Sequence, residues 1–311
     1  LYPDLVITVF LILSLFIVGA LVIFSARHIK NINPDTLPEL WRLYGVEILI
    51  VTAVLIPAYY GGVILMIVLL LFNLRAHVEI AHIHGYRHRT NIIATGILLS
   101  SVLIITVFYL STAEQAISYL LSSIVLFISL VLFILVMKKC QTFLAALFPM
   151  LIIALSISSL LQINMMHDGF LLIIFLYLVT ETNDAFAMIF GRLVGKTGLF
   201  PRISPKKTWE GMIAGVMTAM LAGLVYNHLV LNYTVSEASM IIGLIIISAI
   251  LGDLVFSAYK RIYETKDFMT LIKGHGGIID IYDSLLISSI TFYFLIQLTG
   301  SSNSSHSIIF P

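Results

Sequence analysis

Apolar runs of about 20 residues, the length a helix needs to cross the hydrocarbon core of a bilayer, recur along almost the whole of this 311-residue chain. No comparably long polar segment separates them. Only 11% of the residues are charged and 60% are hydrophobic, against about 25% charged in a typical soluble domain, so a soluble globule is excluded. The sequence predicts an all-α polytopic membrane protein with about ten transmembrane helices in a single integral membrane domain, residues 1–311. The spans are expected near 5–26, 43–58, 61–82, 92–111, 115–137, 142–162, 168–190, 210–231, 239–260 and 283–299. The first run is too long for a signal-peptide core and has no basic flank before it, so it counts as a span. At 57–62, PAYYGG either ends one helix and begins the next or kinks a single long one.

Charge tests the count. With ten spans, all 17 Lys and Arg residues fall on one side, from Arg27, Lys30 and Arg42 through Arg75, Arg87, Arg89, Lys138 and Lys139 to the two basic loops of the C-terminal half. The opposite loops carry Asp4, Glu114, Asp168, Glu237 or no charge. By the positive-inside rule the basic side is cytoplasmic and both termini lie outside. Residues 1–165 read as scaffold helices, and 166–300 as the helices that carry most of the polar chemistry, with cytoplasmic loops at 191–209 and 261–282. The net charge of +1 says little about partners, and nucleic acid is not expected among them. Cys140 is the sole cysteine, which excludes an intramolecular disulfide and a thiolate metal site within one chain.

Several stretches hold polar chemistry. Residues 75–91 contain His77, Glu79, His82, His84 and His88; His84 and His88 have a ligand-like i,i+4 spacing, but the basic surroundings make this a juxtamembrane stretch facing lipid headgroups. Glu181, Asn183 and Asp184 end the seventh predicted span, where acids normally face a polar cavity. In the loop after it, Gly195-Lys196-Thr197 resembles the end of a phosphate-binding P-loop, yet three residues separate Gly191 from Gly195 where four are required. A better signal is Ser204-Pro205-Lys206-Lys207-Thr208: Ser204 is expected to cap the eighth helix with Pro205 at its first position, leaving a helix end that suits phosphate.

The densest cluster spans the 31 residues from Asp253 to Asp283. Asp253, Ser257, Lys260 and Arg261 follow one another along the exit of the ninth span; then come Lys266, Asp267, the turn Gly274-His275-Gly276-Gly277, and Asp280 with Asp283 at i,i+3 where the last helix is expected to begin. Carboxylates are hard ligands for Mg²⁺, which typically takes one or two of them plus substrate phosphates. Glycines let a backbone approach a phosphate closely.

The order Ser257-x-x-Lys260-Arg261, Lys266-Asp267, His275-Gly276-Gly277, Asp280 and Asp283 resembles the signature of the CDP-diacylglycerol synthase (phosphatidate cytidylyltransferase) family, and residues 182–211 resemble that family's second characteristic region. Ile281 stands where the family typically has Arg, and Lys273 where it has Pro or Gly. The resemblance implies transfer of CMP from CTP to phosphatidate, with pyrophosphate released, at a site on the cytoplasmic boundary. It implies catalytic roles for Asp253, Lys260, Arg261, Lys266, Asp267, His275, Asp280 and Asp283, and Mg²⁺ held by Asp253, Asp280 and Asp283, with a second cation left open. Substrate binding falls to Asn183, Asp184, Ser204, Lys207, Thr208, Ser257, Gly276 and Gly277. The implied partners are CTP, phosphatidate or a related lipid phosphate, the bilayer, and a second copy in a homodimer. The alternatives are a CTP-dependent lipid kinase or a synthase for another lipid phosphate, an ion-coupled transporter using buried acids, and a non-catalytic family member, suggested by Ile281.

Overall fold

The structure is a computed structural model that describes residues 3–28, 36–84, 94–98, 100–104, 124–125, 128, 143–271 and 276–300. Eight helices among the described residues are long and apolar enough to cross a membrane, and the polytopic all-α architecture holds. They are α1 Pro3–Ser25, α2 Thr36–Tyr60, α3 Gly62–Ile83, α4 Phe143–Met165, α5 Gly169–Val194, α6 Trp209–Tyr226, α7 Val235–Ile262 and α8 Ile278–Gly300. A single π-helical turn, Asn227–Leu231, extends α6. A shorter apolar helix spans Ala94–Ile104. The spans expected at 92–111 and 115–137 lie largely outside the described residues.

Local chemistry explains where the helices start and stop. Gly61 and Gly62 both have positive φ, 59° and 48°, in the left-handed region that only glycine enters freely. PAYYGG is therefore a true break between α2 and α3, while Pro57 is accommodated inside α2. The start of α2 lies seven residues before the expected one, with Pro38 and Glu39 in its first turn, where a missing N–H costs nothing and an acid meets the positive end of the helix dipole. A capping box starts α7: Thr234 N–H donates to Glu237 Oε2 (3.2 Å) and Glu237 N–H to Thr234 Oγ1 (3.3 Å).

The chain divides into two compact units, residues 1–59 with 171–247 and residues 60–170 with 248–311. Each unit draws on both halves of the sequence. In the first, α5 and α6 approach closely through small residues. A Cβ added at Gly211 would stand 2.5 Å from the Ala187 carbonyl oxygen and 2.9 Å from Gly191 Cα, and one at Gly215 would stand 2.5 Å from the Asn183 carbonyl. Such stripes allow helix backbones to pack tightly in lipid. Before α6 the chain forms a small antiparallel hairpin, β1 Gly198–Phe200 with β2 Ser204–Thr208.

In the second unit α4 is the central helix, with 83% of its apolar window buried against 33% for α3. It packs against both α3 and α8. Polar contacts fix that packing: Ser156 and Ser289 hydroxyls meet at 2.8 Å, and Tyr293 OH donates to Gln162 Oε1 at 2.6 Å. An aromatic group of Phe148, Phe256, Tyr259 and Phe268 fills the space between α4 and the end of α7.

Candidate active site

The second unit assembles the acid-rich cluster around a buried lysine. Lys260 sits in the last turn of α7 and its ammonium pairs with Asp280 Oδ1 of α8; the two side chains are 9% and 6% exposed. The same ammonium interacts with Asp283 and with Asp253. Asp253 Oδ1 also accepts the Ser257 hydroxyl at 3.1 Å. Lys260 thus answers three carboxylates with one positive charge.

The loop between α7 and α8 is knotted onto Asp280. Its Oδ2 accepts the N–H groups of Phe268 and Gly277, each at 2.8 Å. Thr265 N–H turns back to the Lys260 carbonyl (3.0 Å), and Leu271 N–H donates to the Gly276 carbonyl (2.7 Å). Lys260 also lies 5.6 Å from the centre of the Phe268 ring, within cation–π reach. Arg261, Lys266 and Asp267 are exposed, with Arg261 Nη1 donating to the Thr265 carbonyl at 3.1 Å. His275 and Lys273 lie outside the described residues.

Three expectations change here. The last helix begins at Ile278 rather than Asp283, so both acids lie within its first two turns. The glycines make room for protein carboxylates: Gly276, at φ +89°, leaves space that a Cβ would take 2.5 Å from Asp280 Oδ2, and a Cβ at Gly277 would strike the Glu79 carboxylate. Residues 75–84 do not face lipid headgroups as a set. His77 and Glu79 are fully buried, and His84 Nε2 meets Tyr259 OH at 2.7 Å; only His82 of the described members is exposed, and His88 lies outside them. Glu79 accepts from the N–H groups of Ile278 (2.8 Å) and Ile279 (3.1 Å) and pairs with Arg75 at 3.2 Å. The signal for Glu79 was present, an acid within a predicted span one turn after Arg75, but the histidines around it point equally to the membrane surface.

In the first unit the eighth predicted helix starts differently from its expectation. Ser204 and Pro205 are not its cap; they belong to β2, whose pairing with β1 holds them extended. The cap is Thr208, with extended backbone (φ −123°, ψ 153°) and Oγ1 accepting from Gly211 N–H at 3.2 Å. Glu210 reaches back to the N–H groups of Lys196 (3.1 Å) and Thr197 (3.2 Å). Gly195-Lys196-Thr197 is thereby fixed to the helix start as a structural turn. Lys207 is half-buried beside the cap and Lys206 is exposed. Asn183 is buried; its amide donates to Asp184 Oδ1 at 2.9 Å, while its own Oδ1 has no hydrogen-bond partner among the described residues. Glu181 meets Glu47, Asp184 and Tyr177 at the wall of an apolar groove among α1, α2 and α5. Glu47 was not singled out from sequence, because a lone acid in α2 had no neighbouring motif.

Among the described residues no three His, Cys, Asp or Glu side chains converge on a common metal position. The donor set nevertheless suits a hard divalent cation. Asp280 is committed to Lys260 and two amides, and Asp253 and Asp283, which the same ammonium faces, supply further carboxylate oxygens of the type such a cation takes.

A sequence model described as the cytidylyltransferase family matches residues 42–299. An uncharacterized protein of Escherichia coli strain K12, YnbB, is 39% identical over 132 residues, 42% of this chain and 44% of that protein. The phosphatidate cytidylyltransferase of Haemophilus influenzae is 38% identical over 125 residues (38% and 43%), and that of Rickettsia prowazekii 36% identical over 154 residues (46% and 66%). The matches span less than two thirds of the length of each of these relatives.

Proposed function

We propose, from the premise that the chain belongs to the cytidylyltransferase family, that it transfers CMP from CTP to phosphatidate and yields CDP-diacylglycerol and pyrophosphate. The observation that carries this reading is the buried Lys260 among Asp280, Asp283 and Asp253, where α7 ends and α8 begins. A phosphate oxygen of the lipid attacks the α-phosphorus of CTP, and the bond to the β-phosphate breaks with pyrophosphate leaving. The lipid phosphate is already anionic, so no strong base is required, and positioning with charge neutralisation accounts for most of the rate.

In this proposal Asp253 and Asp283 are the residues that would hold a Mg²⁺ ion together with substrate phosphates, and such an ion would supply positive charge against the leaving pyrophosphate. Asp280 fixes the Lys260 ammonium and the loop around it. Exposed Arg261 and Lys266 attract the triphosphate from water, and His275 orients a phosphate. Lys207 beside the capped start of α6, with Asn183, Asp184 and Thr208, is a further candidate for substrate phosphates. The site faces the cytoplasm in this reading, supported by the one-sided distribution of basic residues.

The test is CTP- and Mg²⁺-dependent formation of a CDP-lipid by the purified full chain in detergent, with phosphatidate as acceptor and Asp283→Asn alongside. A product made by the wild type and lost in the variant is expected. Release of CDP with a phosphorylated lipid would instead assign a CTP-dependent lipid kinase, and no turnover by folded wild type would overturn the transferase reading.

A further inference from the structure

We propose that Glu79, with Arg75, is a positioning residue that sets the helix start carrying Asp280 and Asp283; the inference rests on the transferase reading for the reaction it serves. Glu79 lies in the apolar span α3 and is fully buried. A carboxylate there is costly unless each oxygen is answered. The answers come from Arg75 one turn earlier and from the N–H groups of Ile278 and Ile279, the first two residues of α8. Those donors have no intrahelical acceptor, and they stand at the positive end of the helix dipole.

The geometry points to placement rather than capping alone. Locally, Asp280 accepts the Gly277 N–H, one residue before α8 begins. The Glu79 carboxylate, brought from 199 positions away in sequence, satisfies the first two N–H groups of α8 and at the same time gives that helix end a fixed lateral position. Gly277 is where this contact needs a residue without Cβ. Arg75 supplies the other arm: its Nη2 donates to the Met269 carbonyl at 3.2 Å and its Nη1 lies 3.5 Å from Met269 Sδ. One ion pair on α3 therefore grips the α7–α8 loop at Met269 and the helix at Ile278, on either side of the Gly276-Gly277 turn. Asp280 and Asp283 follow within two and five residues of that grip.

The test uses the full chain with Glu79→Gln, whose amide can accept one of the two N–H groups but turns an NH₂ towards the other. Expected are a loss of kcat of roughly 10²-fold, as for a misplaced reacting group, a Mg²⁺ half-saturation roughly tenfold higher, and an unchanged KM for phosphatidate. Hydrogen–deuterium exchange of residues 276–283 is expected to quicken without added substrate or metal. Arg75→Lys keeps the charge and loses the fork to Met269, so it should shift the same readouts less, and it replaces Glu79→Gln if that variant does not fold. A folded variant with unchanged kcat, Mg²⁺ dependence and exchange overturns the proposal. So does a loss of activity that only tracks the loss of folded protein. If the wild type forms no CDP-lipid, the transferase reading falls and exchange alone decides: faster exchange at 276–283 keeps the clamp, and unchanged exchange removes it.

Discussion

The starts of α6 and α8 solve one problem in opposite ways. Both helices begin next to residues assigned to substrate, and both must satisfy their first N–H groups. At α6 the partners are local: Thr208 caps Gly211, and Glu210 binds the turn at Lys196 and Thr197. At α8 the local partner Asp280 is joined by Glu79 from a different span. A local cap makes a helix begin; a distant one also decides where in space it begins.

The contrast can be broken from the α8 side first. Lys260→Met leaves the buried Asp280 charge without its partner, and should lower stability by about 3–5 kcal/mol and abolish product formation; detergent unfolding and a turnover assay check both. Next, Gly277→Ala forces a Cβ into the Glu79 carboxylate and should cost about 1–3 kcal/mol. Combining it with Glu79→Asp should recover part of that loss, with a coupling of about 1 kcal/mol in a double-mutant cycle; strict additivity would show that the two sites do not touch. On the local side, Thr208→Ala should cost about 1 kcal/mol, and Thr208→Ser much less, in thermal unfolding. The smallest effect is expected for Thr234→Ala at the exposed box that starts α7: about 0.5 kcal/mol with turnover unchanged.

The same distinction explains what could be read from the sequence. Long apolar helices were legible because period and length are local properties, and Lys260, Asp280 and Asp283 were legible because their types and spacing lie within one short stretch. The Thr234-to-Glu237 capping box was equally local and was passed over, which placed the start of α7 four residues late. Ser204-Pro205 had good cap chemistry but lost to strand pairing with Gly198–Phe200, a choice that depends on a second segment. Whether Gly276 and Gly277 admit a phosphate or a protein carboxylate is not a property of a glycine pair. It depends on Asp280 folding back and on Glu79 arriving from α3, and neither is written at that position. The interleaving of early and late helices in each unit has the same origin.

The serines of α4 set a timetable for synthesis. Ser156 finds Ser289 only after 133 further positions have been made, which at roughly 5–20 residues per second is on the order of 7–27 s on the ribosome. During that interval α4 is a membrane-inserted helix with a hydroxyl-lined face and no α8 to cover it. Ser158 meets the delay internally by donating to the Ala154 carbonyl at 2.8 Å, but Gln162 cannot acquire Tyr293 before α8 leaves the ribosome. A chain truncated before α8 would lack the partners that Ser289 and Tyr293 provide to Ser156 and Gln162, so the burial of the polar face of α4 depends on the packing of a single later helix.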